Sequence, residues 1–193
     1  MPPQGNAKGL LFLYLKDYVT ERQGAAAWAS LVKAQTPADA ALLNELILAS
    51  GWYAMGTWNR TLTEYLTRHH GANPMAAMRQ FGDYLGEREL NSLVRFVLKL
   101  GSPEFMLRRT DFLWRRYFDT GTFGAEEVSP ARWKLWLDAP RDEETAVGRF
   151  TCGNGPGPWL ERGLVLSGLR KGKVVKTACR WEGARRCEFT ASW

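Results

Sequence analysis

The chain has 193 residues, 45% of them apolar, which suits one domain with a self-sufficient core. Lys and Arg outnumber Asp and Glu by 26 to 20, a formal charge of +6. The basic residues are interleaved with Trp and Leu and form no polybasic block, which argues for a soluble surface and against nucleic-acid binding.

No apolar run approaches the roughly 18 residues of a membrane span. The opening residues lack the basic start of a signal peptide. Three cysteines are few and odd in number. They point to reduced thiols in a cytoplasmic protein, not to a secreted disulfide framework.

Helical periodicity dominates the first part of the chain. Leu11, Tyr14, Leu15 and Tyr18 mark a helix over residues 9–21. Trp28, Leu31 and Val32 mark a second over 25–35, interrupted at Thr36-Pro37 because proline disfavours helix in the residue before it. Leu42, Leu43, Leu46 and Ile47 predict a third, stopped at Gly51. Trp58, Leu62, Tyr65 and His69 share a fourth helical face. Asn73-Pro74 is a helix start, a capping residue followed by proline, leading into Met78, Phe81 and Leu85. Leu90, Leu93, Val94, Val97 and Leu98 predict the next helix, and Ser102-Pro103 caps one more that runs to about Asp119.

The texture then changes. Residues 120–130 read as a seam between subdomains. Trp133, Leu135 and Leu137 alternate as in a strand over 132–137. Residues 152–158 are rich in Gly and Pro and are expected to break structure, whereas 159–169 suit a helix. Residues 173–181 and 186–193 read as two strands joined around Gly183. Helices first and strands last predict an α+β fold: a helical part (8–119), then a small antiparallel sheet with one packed helix (131–193), within a single domain over 1–193.

Several stretches resemble known families. Lys8-Gly9-Leu10, then Leu15-Lys16-Asp17-Tyr18-Val19, Arg22-Gln23-Gly24 and Trp28 are similar to the opening of heme-nitric-oxide-binding (H-NOX) domains. Cys179, seven intervening residues, Cys187 and an aromatic, after the earlier Cys152, resemble the end of the related four-vinyl-reductase-type ligand-binding domains. Both belong to one superfamily of small-molecule sensors, and the resemblance spans most of the chain. It implies a ligand-binding sensor or signalling domain rather than an enzyme.

The H-NOX resemblance also implies a heme, held by a histidine on the helix before the sheet and by a Tyr-x-Ser-x-Arg motif at the propionates. Here Trp114 stands where that histidine is expected, and the stretch from Trp136 to Arg141 lacks the propionate motif. Trp does not ligate iron as His does. The histidines, His69 and His70, sit at the end of an earlier helix. The expectation is a protein without heme.

The cysteines leave two readings open. Thiolates suit zinc, which is four-coordinate in structural sites. A three-residue turn at 183–185 places Cys179 and Cys187 on one face, and a four-residue turn places them on opposite faces. Cys152, Cys179 and Cys187 are therefore candidate zinc ligands, or buried thiols that act as small hydrophobes. In the vinyl-reductase-type family a Glu three residues before the second Cys completes the site. Lys176 occupies that position, a cation that does not ligate while protonated.

Two further sets of residues are candidates. Trp58, Trp114, Trp133 and Trp159 are the expected lining of an apolar pocket between helices and sheet, for a small apolar ligand. On one continuous helix from residue 103 to 119, Phe105, Arg109, Phe112 and Arg116 fall on a basic aromatic face suited to a partner protein or a second copy in a homodimer. The alternative for that face is a solvated basic surface. Among catalytic signatures, Gly-x-Ser-x-Gly, the phosphate-binding glycine loop and His-Glu-x-x-His are all missing from the sequence. The alternative to a ligand sensor is a scaffold acting through that helix face alone.

Overall fold

In the computed structural model the described residues are 5–69, 71–89 and 102–193. Helix α1 (Gly9–Gln23) buries Leu11, Phe12, Leu15, Tyr18 and Val19, the helical spacing expected of it. It ends at Gly24, whose φ of 85° lets the chain turn directly into α2 (Ala25–Lys33). Thr36 does more than interrupt. Its hydroxyl accepts the Asp39 amide and Pro37 takes the first position of α3 (Pro37–Asn44).

α3 ends seven residues earlier than the periodicity predicts. Glu45 is extended, and Leu46 is 84% exposed, so continuing the helix would bury nothing. The chain is instead drawn into a short ladder. Strand β1 (Asn6–Lys8) pairs antiparallel with β2 (Trp52–Ala54), and Ala7 also bridges to Phe118. These three-residue strands are too short for period-2 patterning to reveal.

Helix α4 (Met55–His69) follows without a break and buries Trp58, Leu62, Tyr65 and Leu66. The capping of α5 (Pro74–Glu89) is as the sequence predicts, with the Ala76 amide on the Asn73 side chain at 3.0 Å. The helix predicted over Leu90–Leu98 lies outside the described residues, as does His70.

The expected single helix from Ser102 to Asp119 is two. The Ser102 cap holds, accepting the Phe105 amide at 3.2 Å. Helix α6 (Pro103–Leu107) then stops, and α7 (Thr110–Trp114) starts at a new angle. Thr110 enforces the break, since its hydroxyl lies within hydrogen-bond distance of the Leu107 and Phe123 carbonyls. Residues 120–130, expected as a seam, contain strand β3 (Thr122–Ser129). It pairs with β4 (Arg132–Asp138) across a tight turn at Ala131. Glu126, Glu127 and Val128 are exposed on this edge strand, so only Phe123 signals a buried face.

The Gly/Pro stretch, expected to break structure, is helical. α8 (Arg149–Asn154) leads into α9 (Pro156–Leu166), with Pro156 in the first turn where its missing N–H costs nothing. Small residues let α5 approach: a Cβ on Gly82 would meet the Gly155 carbonyl at 3.1 Å and the Pro158 ring at 3.2 Å. The sheet closes with β5 (Lys173–Ala178) and β6 (Cys187–Ser192), in the order β3-β4-β6-β5, all antiparallel. The fold is α+β. The sheet's inner face, Phe123, Trp133, Leu135, Leu137, Val174 and Phe189, packs into the helical core.

One polar cluster ties α3, α4 and the 142–148 segment together. Asp39, 3% exposed, accepts from Arg60 Nε at 2.7 Å, Thr57 Oγ1 at 2.6 Å and Thr36 Oγ1 at 2.8 Å. Arg60 also pairs with Glu144. The neighbouring Asn59 donates to the Glu143 and Ala146 carbonyls and accepts from the Gly148 amide. The hydrogen bond from Arg60 holds the Asp39 carboxyl down at about 2 against the opposing effect of burial, and Thr57 and Thr36 add to it. The folded value lies below that of an ordinary aspartate carboxyl in water. The stabilisation is therefore complete above about pH 4 and lost as pH falls towards 2. Asp39→Asn is expected to be less stable at neutral pH and to show a shallower loss of stability between about pH 4 and pH 2, read as urea midpoints. Equal acid slopes for the two proteins would show that Asp39 is not the titrating group.

Candidate functional site

An apolar cavity of about 80 Å³ lies where the helices meet the sheet. Trp58 of α4 and Met78 of α5 form one side. Leu113 and Trp114 of α7 and Phe123 of β3 form the other. Thr151 of α8 and Trp159 of α9 close it. The indoles are fixed by their own surroundings. Trp58 packs edge-on against Phe12 and its Nε1 donates to Thr151 Oγ1 at 3.3 Å. Trp114 lies against Phe118 and Phe123, and its Nε1 donates to the Thr120 carbonyl at 2.9 Å. Trp159 packs against Tyr117, and its Nε1 is buried with no hydrogen-bond partner among the described residues.

Three of the four tryptophans singled out in the sequence, Trp58, Trp114 and Trp159, thus line one space. Trp133 does not. It lies within β4 on the inner face of the sheet, with the Arg108 guanidinium 5.0 Å from its ring. Sequence reasoning missed Thr110, Met78 and Phe123 as lining residues. Each reaches the cavity through the break between α6 and α7 or the packing of α5 and β3, and neither is written in local periodicity.

The cavity can be tested against a heme. A porphyrin needs far more room than about 80 Å³ and an axial imidazole, thiolate, thioether or phenolate. Among the described lining residues there is no histidine or cysteine, and the side chains of iron-binding type are Met78 and Tyr117. As arranged, these residues do not fit the group.

The second cluster is formed by the cysteines. Cys152 of α8, Cys179 just after β5 and Cys187 at the start of β6 are all buried and unpaired by disulfides. Their sulfur atoms lie within 4.8 Å of one another. A bulge between Lys176 and Ala178 and a 3₁₀ turn at Arg180–Glu182 bring Cys179 back over the strands. The question of turn length is therefore resolved by an irregular connection, longer than either turn considered. The sulfurs of a tetrahedral thiolate zinc site lie about 3.8 Å apart, from Zn–S bonds near 2.3 Å, so the trio supplies three corners of such a site.

Lys176 lies against this cluster. Its Nζ lies 3.1 Å from Cys179 Sγ, 4.0 Å from Cys152 Sγ and 2.9 Å from the Cys152 carbonyl oxygen. Arg180, 1% exposed, donates its amide to Cys187 Sγ at 3.5 Å and its guanidinium to the Val147 carbonyl. Cys152 and Cys187 share a hydrogen bond. It pushes the Cys152 thiol up, with burial acting the same way, and holds the Cys187 thiol down. Arg180 was not singled out from sequence, where nothing distinguishes it from the other arginines.

The third candidate set is dispersed by the break between α6 and α7. Arg108 pairs with Glu127, and Arg115 with Asp111, so the continuous basic face does not form. Arg109 lies 4.0 Å over the Phe105 ring. Phe105 is 37% exposed and Phe112 is 74% exposed, whereas Arg116 has interactions of its own.

No protein-family model matches the chain, and no curated protein is significantly similar to it in sequence. Solved structures are similar to it in fold. An H-NOX protein from S. oneidensis in the Fe(II)NO ligation state superposes with a TM-score of 0.68 at 15% identity, over 96% of this chain and 98% of that one. The Fe(II) unliganded H-NOX protein from K. algicida gives 0.70 at 13% identity, over 96% and 95%. The H-NOX from Shewanella woodyi in the Fe(II)CO ligation state gives 0.65 at 12%, over 95% and 93%. The chain is an α+β domain with an apolar cavity between helices and sheet. Its fold is that of the H-NOX proteins. No helix among the described residues is long and apolar enough to cross a membrane.

Proposed function

We propose that the protein is a non-enzymatic sensor that binds a small apolar molecule in the cavity beside Trp58, Trp114 and Trp159, without heme. The observation that carries this reading is the cavity itself. It lies at the helix–sheet junction of an H-NOX-like fold, with an almost wholly carbon-lined wall. Natural cores are close-packed, so an unfilled apolar space lined by rings already held from behind favours a ligand. An engineered apolar cavity of about 150 Å³, nearly twice this volume, takes up benzene or xenon. The cavity's small volume and the place of Trp114 in its wall support the absence of heme.

A second reading is favoured by Phe112, whose ring is 74% exposed between arginines. Here α7 also meets a partner, a second copy of the chain in a homodimer, and carries the bound state outward through Leu113 and Trp114. Large rings left in water next to guanidinium groups are typical of contact hot spots.

Heme supplied to the purified protein is expected to give no Soret band, and stoichiometric binding with a five- or six-coordinate iron spectrum would refute the heme-free reading. Benzene is expected to shift the indole N–H resonances of Trp58, Trp114 and Trp159 and to leave Trp133 unmoved. Leu113→Phe, which fills the cavity at a cost of about 1–3 kcal/mol, is expected to abolish those shifts. For the second reading, Phe112→Asp is expected to change stability by less than about 0.5 kcal/mol and to lower the sedimentation coefficient to that of a monomer. Identical sedimentation of wild type and variant would leave Phe112 as plain surface.

A further inference from the structure

The thiol cluster carries an inference that is independent of the cavity. We propose that the ammonium group of Lys176 occupies the place of a metal ion among Cys152, Cys179 and Cys187, making a metal-free clamp in which the protein supplies its own cation.

The geometry supports this in three ways. First, the ammonium group sits directly against two of the three sulfurs. Lys176 Nζ touches Cys179 Sγ at 3.1 Å and faces Cys152 Sγ at 4.0 Å, with its remaining contact on the Cys152 carbonyl at 2.9 Å. An ammonium has three donors and no acceptor, so these contacts use its hydrogen-bonding capacity and leave it no lone pair to offer a metal. A zinc ion held by the three sulfurs would have to displace it.

Second, a metal would enter a region that already holds two cations. The Arg180 side chain is buried beside Cys187, and its Nε and Nη1 have no hydrogen-bond partner. Neither Lys176 nor Arg180 forms an ion pair with a carboxylate among the described residues. Buried cations require compensating negative charge, and the sulfurs are the nearest groups able to carry it.

Third, the clamp joins separate elements. Cys152 comes from α8, Lys176 from β5, Cys179 from the connection and Cys187 from β6. A structural metal performs that task in a small domain, and a fixed ammonium performs it here without dependence on metal supply. The Phe189 ring, 5.8 Å from Nζ, adds a cation–π contact beneath it.

The test is metal content. Wild type, Lys176→His and Lys176→Ala are produced without a metal-affinity step, incubated with zinc, desalted and analysed by native mass spectrometry. Cobalt serves as a second probe, since thiolate-to-cobalt charge-transfer absorption reports sulfur ligation. Wild type is expected to hold less than about 0.2 zinc per chain. Lys176→His, which removes the ammonium and supplies a neutral nitrogen beside the sulfurs, is expected to gain about one zinc per chain and to lose it again when Cys187→Ser is added. Lys176→Ala, where water completes the site, covers the case in which histidine is not accommodated. Stoichiometric zinc in the wild type that Cys152→Ser or Cys187→Ser removes would overturn the proposal. A metal-free wild type whose two Lys176 variants also take up no zinc or cobalt would overturn it equally, because Lys176 would then not be what occupies the position.

Discussion

The arrangement depends on the burial of Trp58. Its indole sits among Phe12 of α1, with ring centroids 5.4 Å apart, Phe81 of α5 at 6.3 Å and Thr151 of α8. A buried aromatic side chain removes roughly 150–250 Å² from water, and this one does so at the meeting point of four helices. Successive residues on a helix point about 100° apart, so the next two positions face elsewhere. Asn59 binds the 143–148 segment, and Arg60 binds Asp39 of α3. One turn of α4 therefore fixes three sets of neighbours, by packing on one side and by hydrogen bonds on the other two.

Both candidate sites follow from that centre. Thr151 accepts the Trp58 indole and lines the cavity, and the next residue, Cys152, enters the thiol cluster. α8 is only six residues long and is joined to α9 through Gly155 and Pro156. Adjacent residues of a helix point about 100° apart, so Thr151 and Cys152 face different neighbours and cavity and cluster share a single wall. Displacement of α8 by a ligand beside Trp58 would be felt at the sulfurs, and disruption of the cluster would be felt at the cavity. The polar residues between α3 and the 142–148 segment hold the other end of that wall in place through Asn59 and Gly148.

The shared fold at 12–15% identity has a physical basis. Helical periodicity, caps and the alternation of inner-face residues in β4 are permissive requirements that many side chains satisfy. A cavity's contents depend instead on a few bulky side chains.

The sequence by itself determined the elements whose signals are local. These include the first, second, fourth and fifth helices, the caps at Asn73 and Ser102, the alternating strand at Trp133–Leu137 and the order of helices before sheet. It also singled out the three cysteines and marked Lys176 as the residue out of place. Local signals failed where a long-range contact set the local structure. β3 is an edge strand whose outward residues are charged, so only its pairing with β4 defines it. The break at Arg109 is made by Thr110 reaching Phe123, thirteen residues away. α3 ends early because the following chain is needed beside β1 and α1. The same holds for the sites. Sulfurs separated by up to 35 positions meet only because a bulge and a 3₁₀ turn redirect the chain after β5. Trp159 joins Trp58 and Trp114 while Trp133 does not, because which face a ring occupies is fixed by packing between elements and not by the spacing within one.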